Sequence, residues 1–175
     1  MGLQGSAAMV SDWVLTEMQT VDLGDKRRND RLTQLLSSMA AVPSKSIPSA
    51  GNGGHNETTA AYRLFDNDAV GFENILAPHI EATYQRVAEQ DVVIVAQDTT
   101  ELDLTRPGVQ VDGAGPLDGT ARFGELLHPM VAFTVNGTPL GTLCAELWTR
   151  ELCFSKVKDR KKLPIEEKES LRWLE

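Results

Sequence analysis

Asp98 follows closely on an unbroken apolar run, Val92-Val93-Ile94-Val95-Ala96, in the stretch VVIVAQDTTEL. The run is short, rich in β-branched residues and not alternating, the pattern of a strand buried on both faces. A carboxylate just past the end of such a strand contributes little to packing. It sits where a rigid scaffold lets a ligand approach, the place where functional groups collect. Thr99 and Thr100 stand next to it, able to orient it by hydrogen bonds. The plain alternative is a turn-forming or helix-capping aspartate, a common local use of this residue.

A second cluster is basic. Residues 26–31, KRRNDR, place Lys26, Arg27, Arg28 and Arg31 in six positions with one acid among them, and Lys45 and Arg63 are the only other bases before residue 80. The cluster falls in the first turn of a helix, where cations oppose the dipole. An anionic partner would give them a reason to be there. Local neutralisation by Asp25 and Asp30 is the competing explanation.

Composition narrows the choices. The 175 residues carry a net charge of −8 and 41% apolar residues. That charge argues against binding polyanions with the whole surface, while leaving room for one basic face. No uncharged run is long enough for a membrane span. The start, MGLQGSAAM, lacks the blocks of a signal peptide and reads as a flexible segment over residues 1–10. Cys144 and Cys153, with histidines only at 55, 79 and 128, fit neither a disulfide framework nor a zinc site. A reducing cytoplasm is the simplest setting.

Helices are expected first. Ser11 is placed to cap a short helix carrying Trp13, Val14 and Met18, and Leu23-Gly24 forms a turn leading to Asp25 as the next N-cap. From Lys26, the residues Leu32, Leu35, Leu36 and Met39 fall at i, i+3, i+4 and i+7, an amphipathic helix. Residues 43–56, PSKSIPSAGNGGHN, read as a loop whose Asn56 caps a third helix with Ala60, Ala61, Leu64 and Phe65 on its apolar stripe. Its Gly-rich end matches no phosphate-binding fingerprint. Phe72, Ile75, Leu76, Ile80 and Val87 mark a fourth helix, with a kink expected at Pro78.

After Asp98 the pattern turns to strands. Residues 101–105 close the first strand region, and the Gly/Pro/Asp-rich segment 106–120 reads as a mobile loop. Leu126–Val135, a type I′ turn at Asn136-Gly137 and Leu140–Trp148 make a hairpin. Pro164 then opens a helix, IEEKESLRWLE, with acids in its first turn. That helix has no C-cap, and Leu171, Trp173 and Leu174 are left to be buried. The chain therefore reads as the amino-terminal part of a longer protein.

Helices, a strand ending in Asp, an antiparallel hairpin and a helix are the opening of an RNase H-like fold, in which acids from separate elements hold two divalent metals for phosphoryl transfer. One carboxylate cannot do this alone. Asp103, Asp112, Asp118 and Glu146 are available, but read as loop or strand-surface acids.

The chain resembles the bacterial cut-and-paste DDE transposases of insertion sequences, whose later part carries a Tyr-Arg-Glu-Lys signature. The resemblance rests on Leu23-Gly24-Asp25-Lys26-Arg27-Arg28 with Arg31-Leu32, on Lys45-Ser46-Ile47, and on Ala61-Tyr62-Arg63 with Asn67. It continues through Gln97-Asp98-Thr99-Thr100, Leu127-His128, Leu140-Gly141 leading to Trp148 and Arg150, and Glu167-Lys168-Glu169-Ser170 with Trp173-Leu174. It spans most of the chain, but only the amino-terminal part of a family member.

The resemblance implies an α+β chain: a helical transposon-end DNA-binding domain at 11–90, then the incomplete beginning of an RNase H-like (DDE) catalytic domain at 91–175. Arg27, Arg28, Arg31, Lys45 and Arg63 become candidates for DNA contact. Phosphate contacts would give salt-dependent affinity, and a bidentate arginine on guanine would give specificity. Asp98 becomes the first catalytic acid and a ligand of Mg²⁺ or Mn²⁺, with the second Asp and the Glu beyond Glu175. His128 could approach such metals, though a hydrogen-bonded strand histidine is the simpler role. Implied partners are double-stranded DNA of terminal inverted repeats, and a second copy or a full-length transposase as a dimer mate, with no membrane. Two other readings stand beside this one: a truncated DNA-binding regulator that inhibits transposition without catalysis, and a metal-free α+β interaction module.

Overall fold

The computed structural model describes residues 12–44, 46–50, 55–119, 121–151, 164–169 and 171. The chain divides into two compact units, with the division between Glu89 and Gln90.

The first unit is helical. Helix α1 covers 12–17, and α2 Lys26–Ala41, α3 Ile47–Ala50, α4 His55–Phe65 and α5 Phe72–Ala88 follow. Helix α2 starts where the expected cap is. Asp25 is extended, and its carboxylate accepts the N–H of Arg27 at 2.7 Å. The capped helix turns Leu32 and Leu35 inward, as their spacing predicts. Leu32 joins Val14, Met18, Leu23, Leu64 and Val70 in one buried cluster, with Val21, Leu36, Ala40 and Ile75 packed against it. Burying each large aliphatic side chain is worth roughly 1.5–3 kcal/mol, so this cluster contributes substantially to the stability of the unit.

The turn before α2 is held from the helix itself. Gly24 takes φ +71°, a conformation that costs glycine little. Asn29 accepts the N–H of Leu23 at 2.8 Å and donates to the carbonyl of Val21 at 3.0 Å. Arg28 donates to the carbonyl of Leu23 at 2.6 Å. Across the unit, Arg86 of α5 donates to both oxygens of the buried Glu17, at 2.7 and 3.1 Å, and His79 pairs with the same carboxylate. This tie fastens α1 to α5.

Two local expectations shift. The expected loop at 43–56 contains a helical turn, α3. Helix α4 begins at His55, so Asn56 lies inside its first turn and is not its cap. Helix α5 runs on through Pro78, which is buried. Ser11 and Lys45 lie outside the described residues.

The second unit is a five-stranded antiparallel sheet: β1 Val93–Gln97, β2 Thr100–Asp103, β3 Gly115–Pro116, β4 Phe123–Thr134 and β5 Pro139–Trp148. Strand β4 is its spine. Strands β1 and β2 run in series along one side of it in unbroken register, Gln97 opposite Met130 and Thr100 opposite Leu127. Strand β5 pairs along the other side, Leu126 opposite Trp148. Asp103 and Gly115 both pair with Gly124, so β3 lies on the β5 side. Packing at this corner leaves no room for a methyl group. A Cβ on Gly124 would stand 1.9 Å from the carbonyl oxygen of Leu102, and one on Gly115 2.2 Å from that of Arg150.

Four expectations for this half are corrected. Strand β1 is not buried on both faces: Ile94 is 52% and Val95 45% exposed. Among the described residues it is an edge strand bonded to β4 alone, and no α-helix of this unit covers it. The hairpin connection is not type I′, which needs two central residues at positive φ. Gly137 alone is there, at φ +81°. Its N–H bonds to the carbonyl of Thr134, and Thr134 N–H to that of Thr138, giving a three-residue connection. Within the segment 106–120, residues 114–118 are tied down, as described below. Finally, Pro164 precedes a 3₁₀ turn, Ile165–Glu167, which is interrupted at an extended Lys168, in place of a continuous helix; beyond it, Arg150 engages Glu169 through two bonds. Leu171 is the last described residue of the expected apolar end.

Candidate nucleic-acid interface

The first turn of α2 and one face of α4 border a groove of about 840 Å³. Asp25, Arg27, Arg28 and Arg31 line it from the α2 side; His55, Asn56, Thr59, Arg63 and Asn67 line it from α4 and the turn after it. Four of the five candidate DNA-contact residues thus come together. The lining holds four arginines against one aspartate, on a chain of net charge −8. An open polar groove with this balance attracts a polyanion locally while the remaining surface repels it.

Each cation stands differently. Arg63 is exposed and, among the described residues, has no ion-pair partner. Arg27 is exposed and bonded to Asp25, which is held below the ordinary carboxylate range by the Arg27 side chain first and its N–H second. Arg28 uses part of its guanidinium to hold the carbonyl of Leu23. Arg31 pairs with Glu57 of α4 at 3.0 Å. Lys26 pairs along its own helix with Asp30 at 2.6 Å and does not line the groove. Local neutralisation and a shared basic groove therefore coexist.

The polar side of α4 was missed at the sequence level. His55, Thr59, Arg63 and Asn67 recur every fourth residue, so they share one side of the helix and its exit turn. The periodicity is as regular as that of the apolar stripe opposite. Asparagine, threonine and histidine are residue types that hydrogen-bond to base edges and phosphates.

In the second unit, Asp98 and Thr99 interrupt the edge formed by β1 and β2. Asp98 is exposed, and one of its oxygens accepts the N–H of Thr99 at 2.8 Å. The Thr99 hydroxyl shares a hydrogen bond of 2.9 Å with Nδ1 of His128, which is 5% exposed. His128 is thus a hydrogen-bonded strand histidine, and the Thr99 side chain serves it, not the carboxylate. Asp98 offers a divalent cation one carboxylate, and no group of three His, Cys, Asp or Glu converges among the described residues. The donors present do not amount to a metal centre, and no reaction step follows from them.

The acids after β1 form a different structure. Arg122 bonds to Glu101 at 2.7 Å, to Asp103 at 3.0 Å and to the carbonyl of Asp118 at 2.8 Å. Arg150, its side chain 9% exposed, reaches Asp118 at 3.0 Å and Glu169 at 2.8 Å. Asp118 N–H also donates to Glu101, and Ala114 and Leu117 are buried. The loop leaving β2 is laced back onto that strand. Asp103 is pushed down to about 2 by the hydroxyl and N–H of Thr105 and by Arg122. Asp103 and Asp118, read from sequence as solvated acids, are parts of this network.

Residues 10–70 match the family described as transposase DNA-binding. The match encloses every residue lining the groove. It supports a transposase-like amino-terminal part and a transposase-like DNA-binding function for it. No helix among the described residues is long and apolar enough to cross a membrane.

Proposed function

We propose that the first unit binds duplex DNA at transposon ends through the α2–α4 groove, as the DNA-recognition part of an insertion-sequence DDE transposase. The observation that carries this reading is the convergence of Arg27, Arg28, Arg31 and Arg63 on one groove inside the matched residues. Arg27 and Arg63 are the phosphate contacts, exposed at the groove. Asn56 and Thr59 face the same space with side chains able to reach base edges. Lys45 adds a further phosphate contact. The DNA is the terminal inverted repeat, bound by a dimer of this chain or by this chain paired with a full-length transposase.

Asp98 is the first acid of an RNase H-like site. With a second Asp and a Glu from sequence beyond Glu175, it would hold Mg²⁺ or Mn²⁺, which supplies Lewis-acid activation for DNA cleavage and strand transfer. A second reading, a DNA-binding regulator of transposition without catalysis, is favoured by one observation. The groove uses residues 25–67 only, so binding needs nothing from the sheet.

The test is enrichment of a random-sequence duplex pool by the 175-residue protein. Recovery of one recurrent motif supports sequence-specific end binding. Retention of no DNA above a carrier-protein control, at low salt, overturns it.

A further inference from the structure

Arg31 differs from the other groove arginines in where its partner stands. It borders the groove and also a second, smaller cleft, formed with Gln34, Leu35 and Ala61. Glu57 lines that second cleft and not the groove. Its Oε2 accepts from Nη1 of Arg31 at 3.0 Å, which occupies one of five guanidinium donors. The pair bridges two helices, 26 residues apart in sequence. A carboxylate that engages an arginine from outside the groove restricts the fork's direction and leaves its other donors available, the arrangement by which a supporting residue pre-orients a recognition group.

Resting on the DNA-binding reading, we propose that Glu57 is a positioning residue that aims Arg31 at a base edge, making Arg31 the specificity-determining arginine of the groove, with guanine as its partner. The chemistry follows from the fork. Guanine offers two acceptors, O6 and N7, in the major groove, and a planar guanidinium held in one orientation meets both. A phosphate contact gains much less from such aiming, since phosphate oxygens accept from many directions. Arg27 and Arg63, one tied only to its own helix cap and the other unpaired among the described residues, need no such support.

Two variants test this in the full 175-residue chain. Glu57→Gln removes the charge of the support, and Arg31→Lys keeps the groove cation but loses the fork. The probe is the duplex motif that the unmodified protein enriches from a random pool, with calf thymus DNA as nonspecific competitor. Both variants should lose roughly tenfold in preference for the motif, relax the same single G·C position, and keep the dependence of affinity on salt unchanged. The double variant should be no worse than Arg31→Lys alone. If Glu57→Gln instead tightens binding to both DNAs and steepens the salt dependence, Glu57 competes with phosphate and the assignment fails. It fails too if the enriched motif is unchanged in both variants while binding persists. An unmodified protein that retains no DNA at all removes the groove reading itself, a separate and recognisable outcome.

Discussion

The guanidinium of Arg86 spans both carboxylate oxygens of Glu17, 69 residues away, at 2.7 and 3.1 Å. Glu17 is 4% exposed. Burial alone would raise its pKa, but the hydrogen bonds and charges of Arg86 and His79 outweigh this and hold it below the ordinary value. The pair fastens α1, which carries Val14 of the core, to α5. The groove helices α2 and α4 pack on that same core through Leu32 and Leu64.

Glu17→Gln should therefore destabilise the first unit. Breaking a fully buried ion pair costs roughly 3–5 kcal/mol. The Arg86 side chain is a third exposed, so a loss of about 2 kcal/mol is expected, read by urea unfolding monitored by circular dichroism. The pH dependence has a definite sign. Because the folded pKa is lowered, the contribution is complete above pH 4.5, the ordinary value, and is lost as pH falls through the folded value. The variant should be less acid-sensitive than the parent, and a variant with an unchanged acid transition would remove Glu17 from this role.

Asp103 gives the second unit its own acid sensitivity. With its carboxyl lowered from 3.8 to about 2, its stabilisation is intact above pH 3.8 and fades toward pH 2. Arg122→Ala should loosen the 104–122 loop, since Arg122 reaches Glu101, Asp103 and Asp118 together. Hydrogen exchange should show faster exchange in that loop with little change in β4 and β5. Unaltered loop protection would mean that Leu117 and Ala114 hold it without the network.

Gly124→Ala should be among the most damaging small changes. Its methyl group would meet a backbone oxygen at 1.9 Å, and backbone cannot rotate away as a side chain can. A loss of at least about 2 kcal/mol is expected in thermal unfolding of the sheet. Near-parental stability would mean that the β2–β4 spacing adapts.

Much of this architecture was legible because it is local. The i, i+3, i+4, i+7 spacing of Leu32, Leu35, Leu36 and Met39, with Asp25 before it, specifies a capped helix within one stretch of chain. The hairpin around Gly137 was likewise visible, though its turn type was not, since Asn136-Gly137 serves both two- and three-residue connections. The ion pairs were not legible. Glu17–Arg86, Arg31–Glu57 and Arg150–Asp118 join residues 26 to 69 positions apart, and no periodicity links them. The exposure of β1 was misread because an apolar run records which residues tolerate burial, not whether anything covers them. At the groove, the arginines stand out by charge, whereas the four-residue repeat from His55 to Asn67 mixes residue types that a charge count does not pick out.

Asp98→Asn separates the two units by function. The carboxylate is exposed and, among the described residues, bonded to the N–H of its neighbour Thr99 alone, so stability should change by less than about 0.5 kcal/mol and DNA affinity should not change. The 175-residue protein with Mg²⁺ or Mn²⁺ should leave supercoiled DNA intact, since one carboxylate supplies too few ligands. Nicking that Asp98→Asn abolishes would show that other acids in this chain complete a site.

The most direct measurement is the affinity of the 175-residue protein for duplex DNA across a salt series, beside Arg27→Gln/Arg63→Gln. These two arginines are exposed at the groove and neither holds the fold, unlike Arg28, which secures the turn at Leu23. Each phosphate contact contributes about 0.9 to the slope of log affinity against log salt. The double variant should bind more weakly and lose about two units of slope while keeping the parental circular dichroism spectrum. A folded double variant with the parental affinity and slope would contradict DNA binding through the α2–α4 groove.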